Sequence, residues 1–277
     1  MSSISACIPY YNNKNTIQKV VQSILSQEVS VQEIIIYNDG STEKPDRYID
    51  SKLVRVINNT KNNGRGYVRH TLCNEAKSEF ILFCDATNTV PTNFISNALL
   101  HFKEPSCVAV SGLIKNDKSL QSTAIRWRAR HLFKEKHDFG QKPKVVECLT
   151  TYGTLMRRSQ VIEIGNFNKN LKHSEDKELG NRIIMAGLII IGDPKIFVRS
   201  IKKDTWFSVL ERYWRWYGGI NYSFTFNDYC HSIKASVNPL LVNDLRDKDF
   251  RAAIISLISP HYGYAKALFN KLALKNN

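Results

Sequence analysis

The segment Glu33-Ile34-Ile35-Ile36-Tyr37-Asn38-Asp39-Gly40-Ser41-Thr42 decides the fold. It joins an isoleucine-rich run directly to an Asp-Gly pair. A continuous apolar run of this length is typical of a strand covered on both faces, whereas a strand with one solvated face alternates apolar and polar residues. Asp-Gly is a strong turn signal. We therefore expect a buried strand that ends in a carboxylate.

Short apolar runs and helical patterns alternate on both sides of this segment. Such alternation predicts parallel strand pairing with right-handed crossovers. The predicted fold class is α/β, an open, doubly wound, mostly parallel sheet flanked by helices. In the first hundred residues we expect strands at Ile4–Ile8, Val31–Tyr37, Leu53–Ile57 and Phe80–Cys84, and helices at Thr16–Leu25 and about Tyr67–Ala76.

The rest of the chain continues the α/β pattern and then becomes helical. We expect a sheet-containing domain over residues 1–220, with a nucleotide-binding half (1–100) and an acceptor half (101–220), and a helical extension over 221–277. Strands are predicted at Cys107–Leu113, Val145–Leu149, Tyr152–Met156, Leu188–Ile191 and Ile196–Val198. Helices are predicted at Ser122–Lys136, Ser174–Ala186 and Trp206–Tyr217, with two more helical stretches over Asp249–Leu274.

Composition excludes several protein classes. The chain has 277 residues, of which 43% are hydrophobic, enough to bury one sizeable core. The first residues lack a signal-peptide pattern, and no apolar run approaches the roughly 20 residues that span a bilayer. The six cysteines form no CxxC pair. We expect a cytoplasmic protein without a zinc ribbon or a disulfide framework.

Sequence signatures of several enzyme classes are also missing. No GxxxxGK[ST] occurs, and the GxG at Gly64 and Gly66 does not continue as a dinucleotide-binding fingerprint. The seven histidines form no HExxH, and no GxSxG is present. P-loop ATPases, Rossmann oxidoreductases, zinc hydrolases and serine hydrolases are therefore disfavoured.

Basic residues are concentrated after residue 100. Lys and Arg number 39 against 25 Asp and Glu, a net charge of +14. Residues 1–100 carry 10 basic and 9 acidic side chains, residues 101–200 carry 18 and 10, and residues 201–277 carry 11 and 6. One interpretation is a solvated surface that keeps the protein soluble. The other is a patch for an anionic partner, namely a phospholipid surface, a phosphate-rich substrate or a nucleic acid.

Ordered short motifs resemble the family 2 glycosyltransferases with the GT-A fold. The first are Cys7-Ile8-Pro9-Tyr10-Tyr11-Asn12 and the Glu33–Thr42 segment quoted above. The resemblance continues through Asn63-Gly64, Phe83-Cys84-Asp85, Gly165-Asn166-Phe167 and Glu175-Asp176, followed by Arg182 and Gly187. It covers about residues 3–220. It implies transfer of a sugar from a nucleoside diphosphate donor to an acceptor hydroxyl.

The resemblance also implies residues for the donor. Asp39 would accept a hydrogen bond from the base N3–H while Pro9 and Tyr10 flank the ring, which favours UDP- or dTDP-sugars. Asn12, Arg69 and Asp85 complete the implied donor set. Two simpler interpretations stay open, since Asp-Gly forms turns without any function and a helical arginine is often a surface ion pair.

Glu175 and Asp176 are the implied catalytic pair. In the family the second acid is the general base, so Asp176 would remove the acceptor proton during a single inverting displacement. Acidic residues after a Ser cap also stabilise any helix N-terminus, by about 1 kcal/mol. That alternative explains one acid and stays open.

The implied metal site is incomplete. The family signature ends in an aspartate that binds Mn²⁺ or Mg²⁺, and this chain has Thr87 there, after Asp85. A later histidine ligand is replaced by Arg199. Either metal binding is lost together with activity, or cations such as Arg199 and Lys202 neutralise the diphosphate. A third arrangement is a weak metal site made of Asp85 and Asn88.

The implied acceptor residues are Gly153, Trp214 and Trp216, the tryptophans lying in a segment that could equally be core packing. The acceptor class stays open among glycans, lipid-linked sugars and protein side chains, and an anionic membrane could be a peripheral partner. Two rival functions are a catalytically silent nucleotide- or glycan-binding relative and a basic nucleic-acid-binding protein. Charge alone suggests the latter, and nucleic acid is the less favoured partner.

Overall fold

A computed structural model describes residues 2–49, 51–135, 142–217 and 224–275. The strands are β1 (Ile4–Tyr10), β2 (Glu33–Asp39), β3 (Val54–Asn59), β4 (Phe80–Cys84), β5 (Asn88–Thr89), β6 (Cys107–Asn116), β7 (Lys144–Val145), β8 (Gly153–Arg157) and β9 (Ile189–Ser200). The helices are α1 (Lys14–Leu25), α2 (Arg65–Glu75), α3 (Phe94–Leu99), α4 (Thr123–His131), α5 (Arg158–Glu163), α6 (Glu175–Met185), α7 (Trp206–Tyr217), α8 (Phe226–Ala235), α9 (Val242–Arg246) and α10 (Phe250–Lys275).

Within the described residues, nine strands form one sheet in the order β3-β2-β1-β4-β8-β6-β9-β5, with β7 paired to β9. The four N-terminal strands pair in parallel, as their alternation with helices predicts. The pairs of β8 with β4 and β6, and of β9 with β5 and β7, are antiparallel. The α/β prediction is confirmed. The antiparallel direction of β8 was not predicted, because apolar runs carry no information on strand direction.

The sheet is covered on both faces. In β2, Ile34 and Ile36 contact one apolar cluster with α1 and α3, while Ile35 and Tyr37 contact a second cluster with α2, α5 and α6. Successive residues of a strand point to opposite faces. The isoleucine run of β2 is therefore continuous because both of its faces are buried.

Three predicted strands are wrong in extent. The strand expected at Val145–Leu149 is only the two-residue β7. The two strands expected around Gly192-Asp193-Pro194 are one continuous strand, β9. A Gly-Asp-Pro sequence usually interrupts a strand. Here one oxygen of the Asp193 carboxylate accepts a hydrogen bond from the Lys195 backbone N–H, at 2.8 Å, and the other is hydrogen-bonded to His101, and the strand continues.

The chain forms two compact units. The sheet unit comprises Met1–Lys115 and Asp138–Lys202, and the helical unit comprises Asn116–His137 and Lys203–Asn277. The expected boundary after residue 220 lies outside the described residues. The helices α4 and α7, expected in the sheet-containing domain, group instead with the C-terminal helices.

Buried ion pairs connect the two segments of the helical unit. Asp204 pairs with Arg128 of α4 at 2.6 Å and with Arg212 of α7 at 3.0 Å. Asp244 of α9 pairs with Arg130 of α4 and is hydrogen-bonded to the neighbouring His131. These charges are paired and hydrogen-bonded, as buried charges must be. Sequence patterns do not reveal such pairing between distant segments.

Helix α10 replaces the two predicted C-terminal helical stretches. It passes through Pro260, which has no N–H to donate to the Ser256 carbonyl. The hydroxyl of Ser259 donates a hydrogen bond to that carbonyl at 2.8 Å. The proline therefore leaves no unsatisfied acceptor at this turn. Over the residues that the structure describes, no helix is both long and apolar enough to cross a membrane.

Candidate active site

The candidate site lies in the sheet unit, where the parallel strands end. Asp39 ends β2 and Asp85 follows β4 directly. Ligands of open α/β sheets bind beyond the carboxyl ends of the strands. Both carboxylates thus lie at the edge where a ligand is expected.

Asp39 holds the loop that precedes α2. Its two carboxylate oxygens accept hydrogen bonds from the backbone N–H groups of Asn63, at 2.8 Å, and Gly64, at 3.0 Å. Burial raises the pKa of Asp39, and these two hydrogen bonds oppose the rise. Each carboxylate oxygen can accept a further hydrogen bond. The turn interpretation and the base-binding prediction are therefore compatible.

Asn12 joins the loop after β1 to the loop after β2. Its backbone has a left-handed φ of 53°, and its side-chain oxygen accepts hydrogen bonds from the N–H and hydroxyl of Thr42, at 3.1 and 3.2 Å. Its own N–H donates to the Ser41 hydroxyl. Asn12 shapes the rim of the candidate donor site, and direct contact of Asn12 with a donor stays a prediction.

Arg69 is the central charge of the site. It projects from α2, is 2% exposed, and pairs with Asp85 at 3.0 Å and with Glu175 of α6. Burial lowers the pKa of Arg69, but the carboxylates of Glu175 and Asp85 outweigh it and hold that pKa above its ordinary value. Arg69 is thus a buried cation between two acids. Its predicted direct contact with a nucleotide is not tested by this geometry.

Helix α6 presents its first two acids differently. Ser174, just before it, has a left-handed φ of 61° and its side chain makes no capping hydrogen bond, contrary to the capping interpretation. Glu175 is buried against Arg69, and burial raises its pKa although Arg69 opposes the rise. Asp176 is half-buried and accepts a hydrogen bond from the Lys177 N–H. Asp176 is therefore the more exposed of the two acids, while Glu175 is held by Arg69, and a catalytic role of either stays a prediction.

Tyr152 is a site neighbour that the sequence did not single out. Burial raises its pKa to about 12, and the charges of Asp176 and Asp85 contribute to the rise. Its carbonyl accepts hydrogen bonds from the Asp85 N–H and from the Asn88 side chain. Tyr152 thus shares its surroundings with both Asp85 and Asp176.

The expectation that Tyr10 flanks a base is wrong. Its side chain is 1% exposed, lies in the core with α1, and donates a hydrogen bond to the Glu43 carbonyl. Strand β1 extends through Tyr10, so strand alternation points its ring toward the core. The next residue, Tyr11, is 50% exposed. Tyr11 is the aromatic residue available to a ligand, beside the half-buried Pro9.

The residues at the implied metal position do not fit a protein-held divalent cation. Such a cation prefers several oxygen ligands, and the carboxylate available here, Asp85, is already paired with Arg69. The backbone carbonyl of Thr87 already accepts a hydrogen bond from the Ile201 N–H. Asn88 is buried and its amide is held by Tyr152. Among the described residues no group of three His, Cys, Asp or Glu side chains could hold a metal.

The predicted phosphate-binding cations lie on and after β9. In the sheet, Arg199 lies opposite Thr89 of the neighbouring strand β5. Its guanidinium lies over the Phe197 ring, 4.9 Å from the ring centroid. Lys115 lies 4.6 Å from the centroid of the same ring. Lys202 follows two residues after the end of β9. Phosphate binding by Arg199 and Lys202 stays a prediction.

Two of the three predicted acceptor residues, Gly153 and Trp214, have structural roles. A Cβ added at Gly153 would lie 2.1 Å from Cγ1 of Val198, so sheet packing requires glycine there. Trp214 is buried in the helical unit against Gly263 and Phe224, which is the environment of a core residue. Trp216 is partly exposed, and its acceptor role stays a prediction.

Other motif residues fix the turn before α6. Arg182 donates hydrogen bonds to the carbonyls of Ile164 and Asn166, and pairs with Glu178 one turn away. Asn166 has a left-handed φ of 57°, and its amide donates to the His70 carbonyl of α2. This turn therefore connects the helix that carries Arg69 with the helix that carries Asp176.

A family model described as "Glycosyl transferase family 2" matches residues 5–165, more than half of the chain. The chain belongs to glycosyl transferase family 2. This family 2 chain is 22% identical over 200 residues to a pre-mycofactocin glycosyltransferase of Mycobacterium tuberculosis, covering 69% of the chain and 41% of that protein. It thus spans less than half the length of that relative.

Two further proteins are similar to this family 2 chain. An Escherichia coli protein named UDP-Glc:alpha-D-GlcNAc-diphosphoundecaprenol beta-1,3-glucosyltransferase WfaP is 35% identical over 115 residues, 40% of the chain and 45% of that protein. The solved structure of S. aureus TarS 1-349 in complex with UDP-GlcNAc has a TM-score of 0.58 at 16% identity, covering 97% of this chain and 89% of that solved chain. This structural likeness confirms the GT-A fold prediction.

Proposed function

We propose that the protein is an inverting glycosyltransferase that moves a sugar from a nucleoside diphosphate donor to an acceptor hydroxyl. Arg69 is the observation that carries the proposal. By pairing with both Asp85 and Glu175 it fixes the donor-side loop relative to the start of α6. Asp176, next in the chain, is thereby held at the edge of the site without an ion pair among the described residues.

In the proposed reaction, Asp176 accepts the proton of the acceptor hydroxyl as its oxygen attacks the anomeric carbon. The bond from that carbon to the diphosphate breaks on the opposite face, and the nucleoside diphosphate leaves with the bonding electrons. A single displacement of this kind inverts the anomeric centre and needs no enzyme nucleophile. Arg199 and Lys202 would neutralise the charge that grows on the leaving diphosphate.

Asp39 supports a uracil or thymine nucleotide as donor, because its carboxylate oxygens can accept a hydrogen bond from a base N3–H. The donor named for WfaP is a UDP-sugar, and UDP-GlcNAc is bound to TarS. The WfaP name also specifies a lipid-linked diphosphate acceptor. We therefore propose a UDP- or dTDP-sugar donor and a lipid-linked glycan acceptor, and the cytoplasmic location stays a prediction.

The test is a thermal-shift screen of nucleotide sugars, followed by transfer to diphosphate-lipid acceptors and NMR analysis of the product anomer. A bound donor raises the apparent melting temperature by mass action. We expect one UDP- or dTDP-sugar to stabilise the protein and to be transferred with inversion. Donor binding without transfer to any acceptor would identify a silent relative, and salt-sensitive binding of nucleic acid alone would overturn the proposal.

A further inference from the structure

The outer face of α10 carries two groups of exposed apolar residues, one in its first turns and one near its end. Its exposed apolar positions recur at helical spacing and fall within an arc of about 120° at 3.6 residues per turn. The opposite side of the helix is also apolar, and packs on α4, α7 and α8 through residues such as Ala252 and Ile255. The exposed positions, which we call the outer stripe, are Phe250, Ile254, Leu257, Ile258, Leu268, Phe269 and Leu272.

The exposure of the outer stripe is large. Phe250 is 69% exposed and Phe269 is 70% exposed. Phe250 and Leu272 are 22 positions apart, so the stripe spans about 33 Å, with the exposed His261 between its two groups. Scattered exposed apolar residues are ordinary, but several large ones on one side of a single helix mark a surface that binds an apolar partner.

Two further exposed phenylalanines border the stripe. Phe207 of α7 contacts Tyr262 of α10, with ring centroids 5.5 Å apart. Phe226 of α8 lies beside Tyr229, and the Tyr229 hydroxyl is hydrogen-bonded to His261 of α10 at 2.8 Å. Phe207 and Phe226 are 65% and 70% exposed. Exposed aromatic side chains thus flank the middle of the stripe on two neighbouring helices.

The charge around the stripe is positive. The helical unit carries 16 Lys and Arg against 8 Asp and Glu, a net charge of +8. Its acids Asp204, Asp244 and Asp249 are used in internal ion pairs. Arg246, Lys248 and Arg251, next to the start of the stripe, are exposed and form no ion pair within the described part of the chain. The surface is therefore apolar with an uncompensated cationic border.

We infer that the outer stripe of α10 binds the surface of an anionic lipid bilayer. An apolar helix face inserts among the acyl chains while flanking Lys and Arg side chains attract anionic headgroups. A second copy of the same unit would instead bring two sets of unpaired cations together. Charge therefore favours the bilayer over self-association. The inference does not depend on the proposed sugar transfer.

The test is co-sedimentation of the full chain with phosphatidylcholine vesicles that contain or lack about a third phosphatidylglycerol, with salt varied. We expect binding to the anionic vesicles that weakens as salt rises. Phe250→Ser and Phe269→Ser should each weaken the binding more than about tenfold, because each removes an apolar side chain from the bilayer. Arg246→Gln and Arg251→Gln should each weaken it about fivefold.

Met185→Ser is the matched control, since Met185 is a largely exposed apolar residue of the sheet unit. It should leave vesicle binding unchanged. Circular dichroism of each variant establishes that the fold is retained. Failure of the wild-type protein to bind anionic vesicles, or a dimer in sedimentation velocity that Phe269→Ser dissociates in the absence of lipid, would overturn the inference.

Discussion

Arg69 and Glu175 form a buried ion pair although 106 positions separate them in the chain. The same guanidinium pairs with Asp85, so one cation connects helix α2, the end of β4 and the first residue of α6. Removing one partner of such a pair leaves an uncompensated buried charge. The stability of the sheet unit and the geometry of the candidate site therefore depend on the same contact.

Replacement of Arg69 should destabilise the protein in a pH-dependent way. We expect Arg69→Met to lower the free energy of unfolding by about 3–5 kcal/mol at neutral pH, since Glu175 loses its counter-charge. Burial then raises the folded-state pKa of Glu175 above its unfolded value, near 4.3. Between the two pKa values the folded variant therefore holds a proton that the unfolded chain has lost. The stability of the variant should fall as pH rises from about 4.3 toward neutrality.

Urea titrations between pH 4.5 and 7.5 measure this effect. Arg55→Met is the control, because Arg55 and its partner Glu75 are both exposed and should contribute less than about 1 kcal/mol. Equal losses for the two arginine variants would contradict the importance assigned to Arg69.

Asp176 is expected to act in turnover and not in donor binding. Asp176→Asn should reduce the transfer rate by at least about a hundredfold, as is usual for a lost general base. Its affinity for the donor should be unchanged. Glu163→Gln makes the same chemical change at an exposed glutamate and should retain full activity. Initial rates and donor-binding calorimetry of the wild type, Asp176→Asn and Glu163→Gln measure these effects. Unaltered turnover in Asp176→Asn would show that Asp176 is not the general base.

Asp39 is expected to make donor binding sensitive to acid. Asp39→Ala should weaken nucleoside diphosphate binding by about 1.5–3 kcal/mol. Since burial raises the pKa of Asp39, wild-type binding should weaken as pH falls, at a pH above the ordinary aspartate value of about 3.9. Calorimetry across pH measures both effects, and Asp46→Ala, at an exposed aspartate, should bind like wild type. A pH profile that Asp39→Ala shares with wild type would assign the dependence to another group.

Tyr11 and Tyr10 should behave differently on substitution. Tyr11→Ala should weaken donor binding by about 1–3 kcal/mol if the exposed ring stacks on a base, as aromatic side chains do. Tyr10→Phe keeps the buried ring and loses the hydrogen bond to the Glu43 carbonyl, so it should lower stability slightly and leave donor affinity unchanged. The reverse pattern in a binding titration would restore Tyr10 to the donor site.

Activity is expected to survive chelation. Asp85 is paired with Arg69, and no cluster of metal-binding side chains lies within the described residues. We expect EDTA to leave the transfer rate nearly unchanged and Arg199→Ala to reduce it more than about tenfold. Lys195→Ala, at an exposed position of the same strand, serves as the control. Activity that EDTA abolishes and Mn²⁺ restores would falsify direct neutralisation by protein cations.

The sequence predicted the parts of the molecule that depend on local patterns. Strands β1 to β4 follow from short apolar runs, and α1, α2 and α7 follow from helical spacing. Asp39 and Asp85 were expected at the ligand edge because their strands end there. The direction of the later strands and the continuity of β9 through Pro194 depend on pairing between distant segments, which periodicity does not encode.

The candidate site was predicted at the level of its residues more than of their contacts. Tyr10 was mistaken for an exposed ring because β1 continues to it, and Trp214 proved to be core because its neighbours come from other helices. The burial of Arg69 could not be predicted, since its two partners lie 16 and 106 positions away. Contacts across such distances appear only after the chain has folded.

The helical unit is built from two segments that are far apart in the chain, and this affects its folding during translation. Helix α4 emerges from the ribosome with Arg128 and Arg130, whose partners Asp204 and Asp244 lie 76 and 114 positions further on. At translation rates of about 5–20 residues per second, α4 waits roughly 4–20 seconds for these acids. Over that interval Trp127, fully buried in the finished protein, has no helical neighbours to cover it. The burial of Trp127 against Tyr213 and Ser256 therefore comes only late in synthesis.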